Sequence, residues 1–212
     1  MHPRVRLAII VLTGCAIAAV VAVAIARRSE HAERPPPAVL GPRTGFAGAL
    51  RPAEIRPSDF ALRDQDGKPA SLRSYRGQVV ILTFLYSTCR NTCPLTADQI
   101  RGALDQLGGP GVPALAISVD PAHDTPQLAR RFLLERRLTG RMRFLLGSAA
   151  ELAPIWRAYG IRPQERAFEH SAYVLLIDRR GRQRIGFPIS KLTPEGLAHD
   201  IRALSAERAG RR

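Results

Sequence analysis

The feature that most constrains the fold is an apolar run that ends in a cysteine pair. Residues 78–86, QVVILTFLY, form a continuous apolar stretch of strand length, as expected for a strand buried on both faces of a sheet. Cys89 and Cys93 follow, with three residues between them, and Pro94 comes directly after. Since proline suits the first position of a helix, the pattern predicts a buried strand that delivers both thiols to a helix start.

Strand and helix patterns alternate over the rest of the domain. A second buried strand is predicted at 112–120, and hairpins are predicted around 66–67 and between 171–178 and 182–188. The other predicted helices begin at the cap 124–126 and run to about Leu138, at the capping box opened by Ser148, and at Thr193-Pro194. This order predicts an α/β protein with a thioredoxin-like fold, a central mixed sheet with helices on both faces.

The N-terminal part has the pattern of a membrane anchor. Residues 7–26 are 20 uncharged, mostly apolar residues between basic flanks, which matches the length of a membrane-spanning helix. They separate a short cytoplasmic head (1–6) from a Pro/Gly-rich tether (27–53), a folded domain (54–206) and a basic tail (207–212). An alternative is a lipoprotein signal cleaved before Cys15, although the apolar run continues to residue 26.

The short head and the absence of an Arg/Ser-rich presequence predict a bacterial inner membrane protein whose domain faces the periplasm. Its formal charge is +14, with 32 basic residues spread along the chain rather than clustered in a motif. We therefore expect no nucleic-acid partner, and attraction to the anionic membrane surface accounts for the charge.

Cys89 and Cys93 are the reactive candidates. A helix N-terminus stabilises a thiolate, which is both the nucleophile and the metal-binding form of cysteine. The pair is compatible with a structural disulfide, a redox-active dithiol or a metal site. A static disulfide between Cys89 and Cys93 would add little stability, because a short closed loop removes little conformational entropy from the unfolded chain. Two thiolates suit Cu(I), and an added imidazole makes a site for Cu(I) or Cu(II).

Five histidines could supply that imidazole. His2 and His31 lie in the head and the tether, and His199 is expected to be an exposed residue of the last helix. His123 follows the strand that ends at Asp120, on the edge of the sheet that carries the cysteines, but a solvated loop position is favoured for it. His170 directly precedes the strand 171–178, after an irregular stretch that could fold over the cysteines.

Three ordered segments resemble the Sco/SenC family of copper chaperones, which act in cytochrome c oxidase assembly. SDFALRDQDGKPASLRSYRGQVVILTFLYSTCRNTCP is similar to the family's opening hairpin, strand and C-x-x-x-C-P motif. ISVDPAHDTPQLARRF resembles its D-P-x-x-D-T-P segment, and EHSAYVLLID resembles the stretch that carries its histidine ligand. The resemblance covers nearly the whole domain, and the anchor and tether also fit the family's architecture.

The resemblance implies that Cys89, Cys93 and His170 bind one copper ion and that the cysteines also cycle between dithiol and disulfide. It implies as client the dinuclear copper site of the oxidase's second subunit, or another periplasmic cuproprotein. Two departures are specific to this chain. The cysteine loop is Arg90-Asn91-Thr92, where the family often has proline and aspartate, and only ten residues separate Tyr159 from His170.

The leading hypothesis is a membrane-tethered metallochaperone that passes copper to a partner by ligand exchange. The alternative is an enzyme, a thiol-disulfide reductase that acts on a partner's cysteines without delivering copper. A thioredoxin-fold peroxidase is a third reading, which the paired cysteines and His170 disfavour.

Overall fold

The structure is a computed structural model that describes residues 45–52, 55, 59–108, 111–162 and 173–207. Within them an eight-stranded mixed sheet has the order β1-β8-β7-β4-β5-β6-β2-β3. The strands are β1 (Ala49–Leu50), β2 (Ala61–Asp64), β3 (Pro69–Ser71), β4 (Val80–Leu85), β5 (Ala114–Ser118), β6 (Met142–Leu146), β7 (Tyr173–Ile177) and β8 (Gln183–Pro188). The helices are α1 (Thr92–Leu107), α2 (Pro126–Glu135), α3 (Ala149–Tyr159) and α4 (Pro194–Ala206).

The centre of the sheet is the parallel trio β4, β5 and β6, flanked by antiparallel strands on both sides. All six residues of β4 are at most 1% exposed, since helices or a hairpin cover both faces. Parallel strands end at one edge of a sheet, so the loops after Leu85, Ser118 and Leu146 share an edge. We call this the cysteine edge, because the chain after Leu85 leads to Cys89.

Two apolar clusters lie on the two faces of the sheet. On one face, α1, α2 and α4 pack against side chains such as Ile81 and Phe144. On the other, α3 and the β2–β3 hairpin pack against side chains such as Leu82 and Phe84. This alternation along β4 follows from the two-residue period of a strand. The predicted mixed sheet with helices on both faces is confirmed.

Local signals in the sequence account for the helix ends. Thr125 and Thr193 accept hydrogen bonds from the N–H groups of Leu128 and Gly196, and Ser148 forms the predicted capping box with Glu151. α1 ends at Leu107 and is followed by Gly108, whose φ of 64° is left-handed, as is common for a glycine after a helix. Two ends differ from the prediction. α1 begins at Thr92 rather than at Pro94, and α2 ends at Glu135, before the buried Leu138.

Two strands were not predicted. β6 contains Arg143, which interrupts its apolar run, yet the strand pairs with both β5 and β2. β1 lies inside the stretch 27–53 that was predicted as tether, and it pairs with β8 through Ala49 and Gly186. It is held by the buried Asp200, whose carboxylate accepts hydrogen bonds of 2.9 Å from two backbone N–H groups, those of Ala47 and Gly48.

No helix among the described residues is long and apolar enough to cross a bilayer. The predicted anchor at 7–26, with Cys15, lies outside the described residues.

Candidate metal centre

The loop from β4 to α1 brings the two cysteines together. The N–H of Cys89 donates to the carbonyl of Tyr86 at 3.3 Å, which turns the chain at the end of the strand. The N-cap residue of α1, Asn91, makes no side-chain capping bond. Instead, the N–H of Cys93 donates to the sulfur of Cys89 at 3.3 Å. A cysteine sulfur thus takes the role of a helix cap, which favours negative charge on that sulfur.

The two sulfurs differ in burial. Cys93 is 0% exposed and belongs to the apolar cluster beneath α1, whereas Cys89 is half-buried at the surface of that cluster. The hydrogen bond to Cys89 and burial both raise the pKa of the Cys93 thiol, although a backbone hydrogen bond from Tyr86 opposes them. Cys93 is therefore the thiol that donates to Cys89 and keeps its proton.

Tyr86 also belongs to the site, although the sequence pattern does not predict it. Burial raises the pKa of its hydroxyl, and a hydrogen bond to Cys89 raises it further. The protonated hydroxyl is therefore a donor to Cys89, together with the N–H and thiol of Cys93. Its position in the sequence could have indicated this role, because Tyr86 ends the predicted buried strand and lies three residues before Cys89.

Asp124 fixes the first part of this loop. One of its carboxylate oxygens accepts from the N–H of Ser87 at 2.7 Å and from the Ser87 hydroxyl at 2.5 Å. The other oxygen accepts from the hydroxyl of Ser118 at 2.5 Å, at the end of β5. Asp124 thus ties the loop two residues before Cys89 to the neighbouring strand. The sequence pattern predicts Asp124 as part of the cap of α2, at 124–126, but the capping side chain is Thr125.

Within the described part of the chain, no basic side chain pairs with Asp124. Burial raises the pKa of its carboxyl above the ordinary value of 3.8, and the hydrogen bonds from Ser118 and Ser87 only partly oppose this. The charge of Asp120 raises it further. The cysteine edge therefore holds a carboxylate that hydroxyl and amide donors stabilise, rather than an ion pair.

The described histidines do not join the cysteines. Nδ1 of His123 lies 2.9 Å from both carboxylate oxygens of Asp120, and its side chain is 71% exposed. His199 was expected to be exposed, but it is half-buried, with Nδ1 2.8 Å from the carboxylate of the buried Asp200. Over the described ranges, no three histidine, cysteine or acidic side chains form a group that could hold a metal ion. His170, His2 and His31 lie outside the described residues.

Comparisons with known proteins now identify the family. The SCO1/SenC family matches residues 49–206, which is most of the chain. This chain belongs to the SCO1/SenC family. The match begins at β1, in agreement with the pairing of that strand in the sheet.

Relatives from different organisms support this. The mitochondrial SCO2 homologue of Bos taurus is 31% identical over 175 residues, which is 75% of this chain and 59% of that protein. Among solved structures, copper-bound ScoI of Bradyrhizobium japonicum is 29% identical, with a TM-score of 0.57, and covers 70% of this chain and 99% of its own. Apo Sco1 of Thermus thermophilus is 25% identical, with a TM-score of 0.65, over 77% and 99% of the two chains. The domain thus has the Sco-type thioredoxin-like fold.

Proposed function

We propose that this protein is a metallochaperone that holds copper through Cys89 and Cys93 and passes it to another protein. The observation that carries the proposal is the shared position of the two sulfurs. Both lie at the start of α1, and the N–H of Cys93 donates to the sulfur of Cys89 at 3.3 Å. Two sulfurs so close together suit a soft cation such as Cu(I), which prefers thiolate ligands. Membership of a family with copper-bound structures supports this choice of cargo.

His170 is proposed as the third ligand. An imidazole nitrogen added to two thiolates makes a site that accepts Cu(I) and Cu(II). Support comes from the sequence, where His170 stands three residues before β7. The first residue of β7, Tyr173, contributes the carbonyl that accepts from the hydroxyl of Thr83 in β4 at 3.0 Å. β7 therefore begins beside the end of β4, at the cysteine edge.

The proposed receiver is the dinuclear copper site of cytochrome c oxidase or another periplasmic cuproprotein. The domain would work at the periplasmic side of a bacterial inner membrane, with residues 7–26 as its anchor. Transfer needs only ligand exchange, in which partner thiolates replace Cys89 and Cys93 one at a time. The half-buried Cys89 is the sulfur that a partner reaches first.

A thiol-disulfide reductase is the second candidate, because one sulfur is accessible and the other is buried. The thiolate of Cys89 would attack a partner disulfide, forming a mixed disulfide and releasing one partner thiolate. Cys93 would then attack Cys89, which releases the second partner sulfur. The cysteine pair is oxidised to a disulfide and the partner is reduced, and the partner thiols take up the proton of Cys93 and one proton from solvent.

Anaerobic Cu(I) titration of the detergent-extracted full chain, against a chelator of known affinity, tests the proposal. The variants are Cys89→Ser, Cys93→Ser and His170→Ala, and Cys15→Ser is the matched control for loss of a thiol. We expect one Cu(I) per chain, and at least about 100-fold weaker binding in either Cys89→Ser or Cys93→Ser. Cys15→Ser should bind as the unmodified chain does.

Two results separate the candidates. If the reduced chain binds copper no better than the double variant Cys89→Ser/Cys93→Ser, yet reduces a disulfide substrate, the reductase is correct and the metallochaperone is rejected. If Cu(II) binding and its charge-transfer absorption are the same in His170→Ala as in the unmodified chain, only the histidine assignment fails.

A further inference from the structure

The edge of the sheet opposite the cysteines is rich in arginine. β4 begins and β7 ends there, because Val80 pairs with Ile177. The turn before β4 and the β7–β8 hairpin therefore meet at this edge. Five exposed arginines come from these segments and from the end of α4, and we call this surface the arginine edge. They are Arg76, Arg179, Arg180, Arg182 and Arg202.

Hydrogen bonds and packing contacts connect the segments that form the arginine edge. The N–H of Gly77 donates to the carbonyl of Arg179 at 2.8 Å, and Nε of Arg179 donates to the carbonyl of Gly77 at 3.0 Å. The guanidinium of Arg76 lies directly against Gly181, in the space that a Cβ would fill. Gly181 also has a left-handed φ of 76°, so a glycine is favoured there for both reasons.

The positive charge of this edge exceeds its negative charge. Its carboxylates among the described residues include Asp178 and Glu207, which both pair with Arg184, and Asp105, which pairs with Arg141 at 2.6 Å. Asp178 also pairs with Arg182 at 2.8 Å. Arg179 and Arg202 instead donate to main-chain carbonyls, at 3.0 Å and 2.6 Å, and these contacts do not neutralise their charge.

An apolar groove opens at the same edge. It has a volume of about 580 Å³ and lies between the ends of α1 and α4 and the start of β5. Leu104, Leu107, Val112 and Ile201 line it, with Arg141 and Arg202 in its wall. The arginine edge therefore combines cationic groups with accessible apolar surface, a combination that suits an amphipathic anion.

We propose that the arginine edge binds the anionic headgroup surface of a phospholipid bilayer and holds the cysteine edge facing away from it. All basic residues of the chain except Lys68 and Lys191 are arginines. The guanidinium fork matches two phosphate oxygens at once, whereas an ammonium acts as a point charge. The proposal rests on the proposed membrane attachment and not on copper binding. An acidic protein surface is the other occupant that the test separates.

The test measures how fast phenylglyoxal modifies each arginine of the full chain in lipid nanodiscs, with peptide mass spectrometry as the readout. One set of discs contains phosphatidylcholine alone, and the other contains about one third phosphatidylglycerol. Arg90 and Arg63 are internal references, since both are exposed and neither belongs to the arginine edge. Recovery of the protein with the phosphatidylcholine discs shows first that the chain is membrane-attached.

We expect modification of Arg76, Arg179 and Arg180 to slow at least about threefold in the anionic discs, with no change at Arg90 or Arg63. Added salt should remove the difference, because it screens the headgroups. In Arg179→Gln/Arg180→Gln the protection of Arg76 should fall, whereas the matched variant Arg63→Gln/Arg131→Gln should keep it.

Three results would overturn the proposal. Equal rates in the two kinds of disc would show that the edge does not contact anionic lipid. Equal protection of Arg90 would show that the domain has no preferred orientation. Protection that appears only when an acidic client protein is added would assign the edge to protein binding instead. Because copper plays no part in the assay, none of these results bears on the metallochaperone.

Discussion

At each end of the parallel strands an aspartate ties down a loop, but the half-buried Asp124 and the buried Asp178 have different partners. At the cysteine edge, Asp124 accepts from the N–H and hydroxyl of Ser87 and from the hydroxyl of Ser118. At the arginine edge, Asp178 accepts from the N–H groups of Arg180 and Arg182 and from the Arg182 side chain. Asp124 is therefore held by neutral donors, whereas Asp178 is held by both backbone N–H groups and guanidinium groups.

The pKa values of the two carboxyls shift in opposite directions as a result. Burial raises the pKa of Asp124, and its neutral donors do not offset it. Burial also acts to raise the pKa of Asp178, but the hydrogen bonds and charge of Arg182 outweigh it, so that this pKa is lowered. Among the described residues, Asp124 is therefore held by neutral donors, although the exposed Arg90 lies in the cysteine loop, whereas Asp178 at the arginine edge is paired with guanidinium groups.

The largest effect is expected from removal of the carboxylate at the cysteine edge. Asp124→Ala leaves the buried hydroxyl of Ser118 and the half-buried hydroxyl and N–H of Ser87 without their acceptor, so we expect a loss of about 3 kcal/mol in the free energy of unfolding. Because the loop before Cys89 is released, Cu(I) should bind at least about tenfold more weakly. Urea unfolding and Cu(I) competition measure the two effects.

Asp124→Asn is the matched control, since its amide oxygen keeps one acceptor and its size is unchanged. It should lose less stability and less copper affinity than Asp124→Ala. If Asp124→Ala is destabilised but binds Cu(I) as tightly as the unmodified chain, then Asp124 supports the fold and has no role in positioning the cysteines.

Removal of the carboxylate at the arginine edge should have a smaller effect, which spares the proposed copper site. Asp178 is 4% exposed and accepts from two backbone N–H groups and a guanidinium. We expect Asp178→Ala to lose about 2 kcal/mol in urea unfolding, with Cu(I) affinity unchanged. The exposed Asp66 is a matched control, and Asp66→Ala should cost less than about 0.5 kcal/mol. A clear loss of copper affinity in Asp178→Ala would show that the two edges are coupled.

The pH dependence of stability should have opposite signs at the two edges. The lowered pKa of Asp178 means that its stabilisation is present above the ordinary value of 3.8 and is lost as pH falls through the lower folded pKa. The raised pKa of Asp124 means that its stabilisation is fully present below 3.8 and is lost as pH rises through the higher folded pKa.

Urea unfolding of the unmodified chain, Asp124→Asn and Asp178→Asn between pH 3 and pH 7 measures this contrast. On acidification from pH 7, the stability of the unmodified chain should rise relative to Asp124→Asn. Relative to Asp178→Asn it should fall, and only near and below pH 3.8. Parallel curves for the two variants would contradict the opposite pKa shifts.

The smallest effect is expected from the positive charge within the cysteine loop. Arg90 is exposed and lies between the two cysteines in the chain, so its charge opposes a bound cation through solvent. Arg90→Gln should bind Cu(I) about two- to threefold more tightly at low salt, and the gain should shrink in high salt. Arg63→Gln, which removes an equally exposed charge elsewhere, should change nothing. Weaker copper binding in Arg90→Gln would show that the arginine instead supports the thiolates.

Much of the architecture could be predicted, because the patterns are local. Continuous apolar runs indicated β4 and β5, and caps at Thr125, Ser148 and Thr193 indicated three helix starts. The strand β6 was not predicted, because Arg143 interrupts its apolar run. Its guanidinium is accommodated by Asp64 and the hydroxyl of Tyr75, at 2.8 Å each, which come from distant parts of the chain. β1 was not predicted, because a two-residue strand is too short to show a hydrophobic pattern. Its pairing with β8 defines it as a strand.

The sequence by itself determined where the candidate cysteine pair lies. Spacing, Pro94 and the preceding strand place Cys89 and Cys93 at a helix start, since each of these signals acts within a few residues. Only the tertiary structure decided how the two sulfurs differ and what surrounds them. The burial of Cys93 depends on α1 packing onto the sheet, and Asp124 meets Ser87 only because parallel strands bring distant loops to one edge. Contacts between residues far apart in the chain leave no local pattern, so they could be read only from the fold.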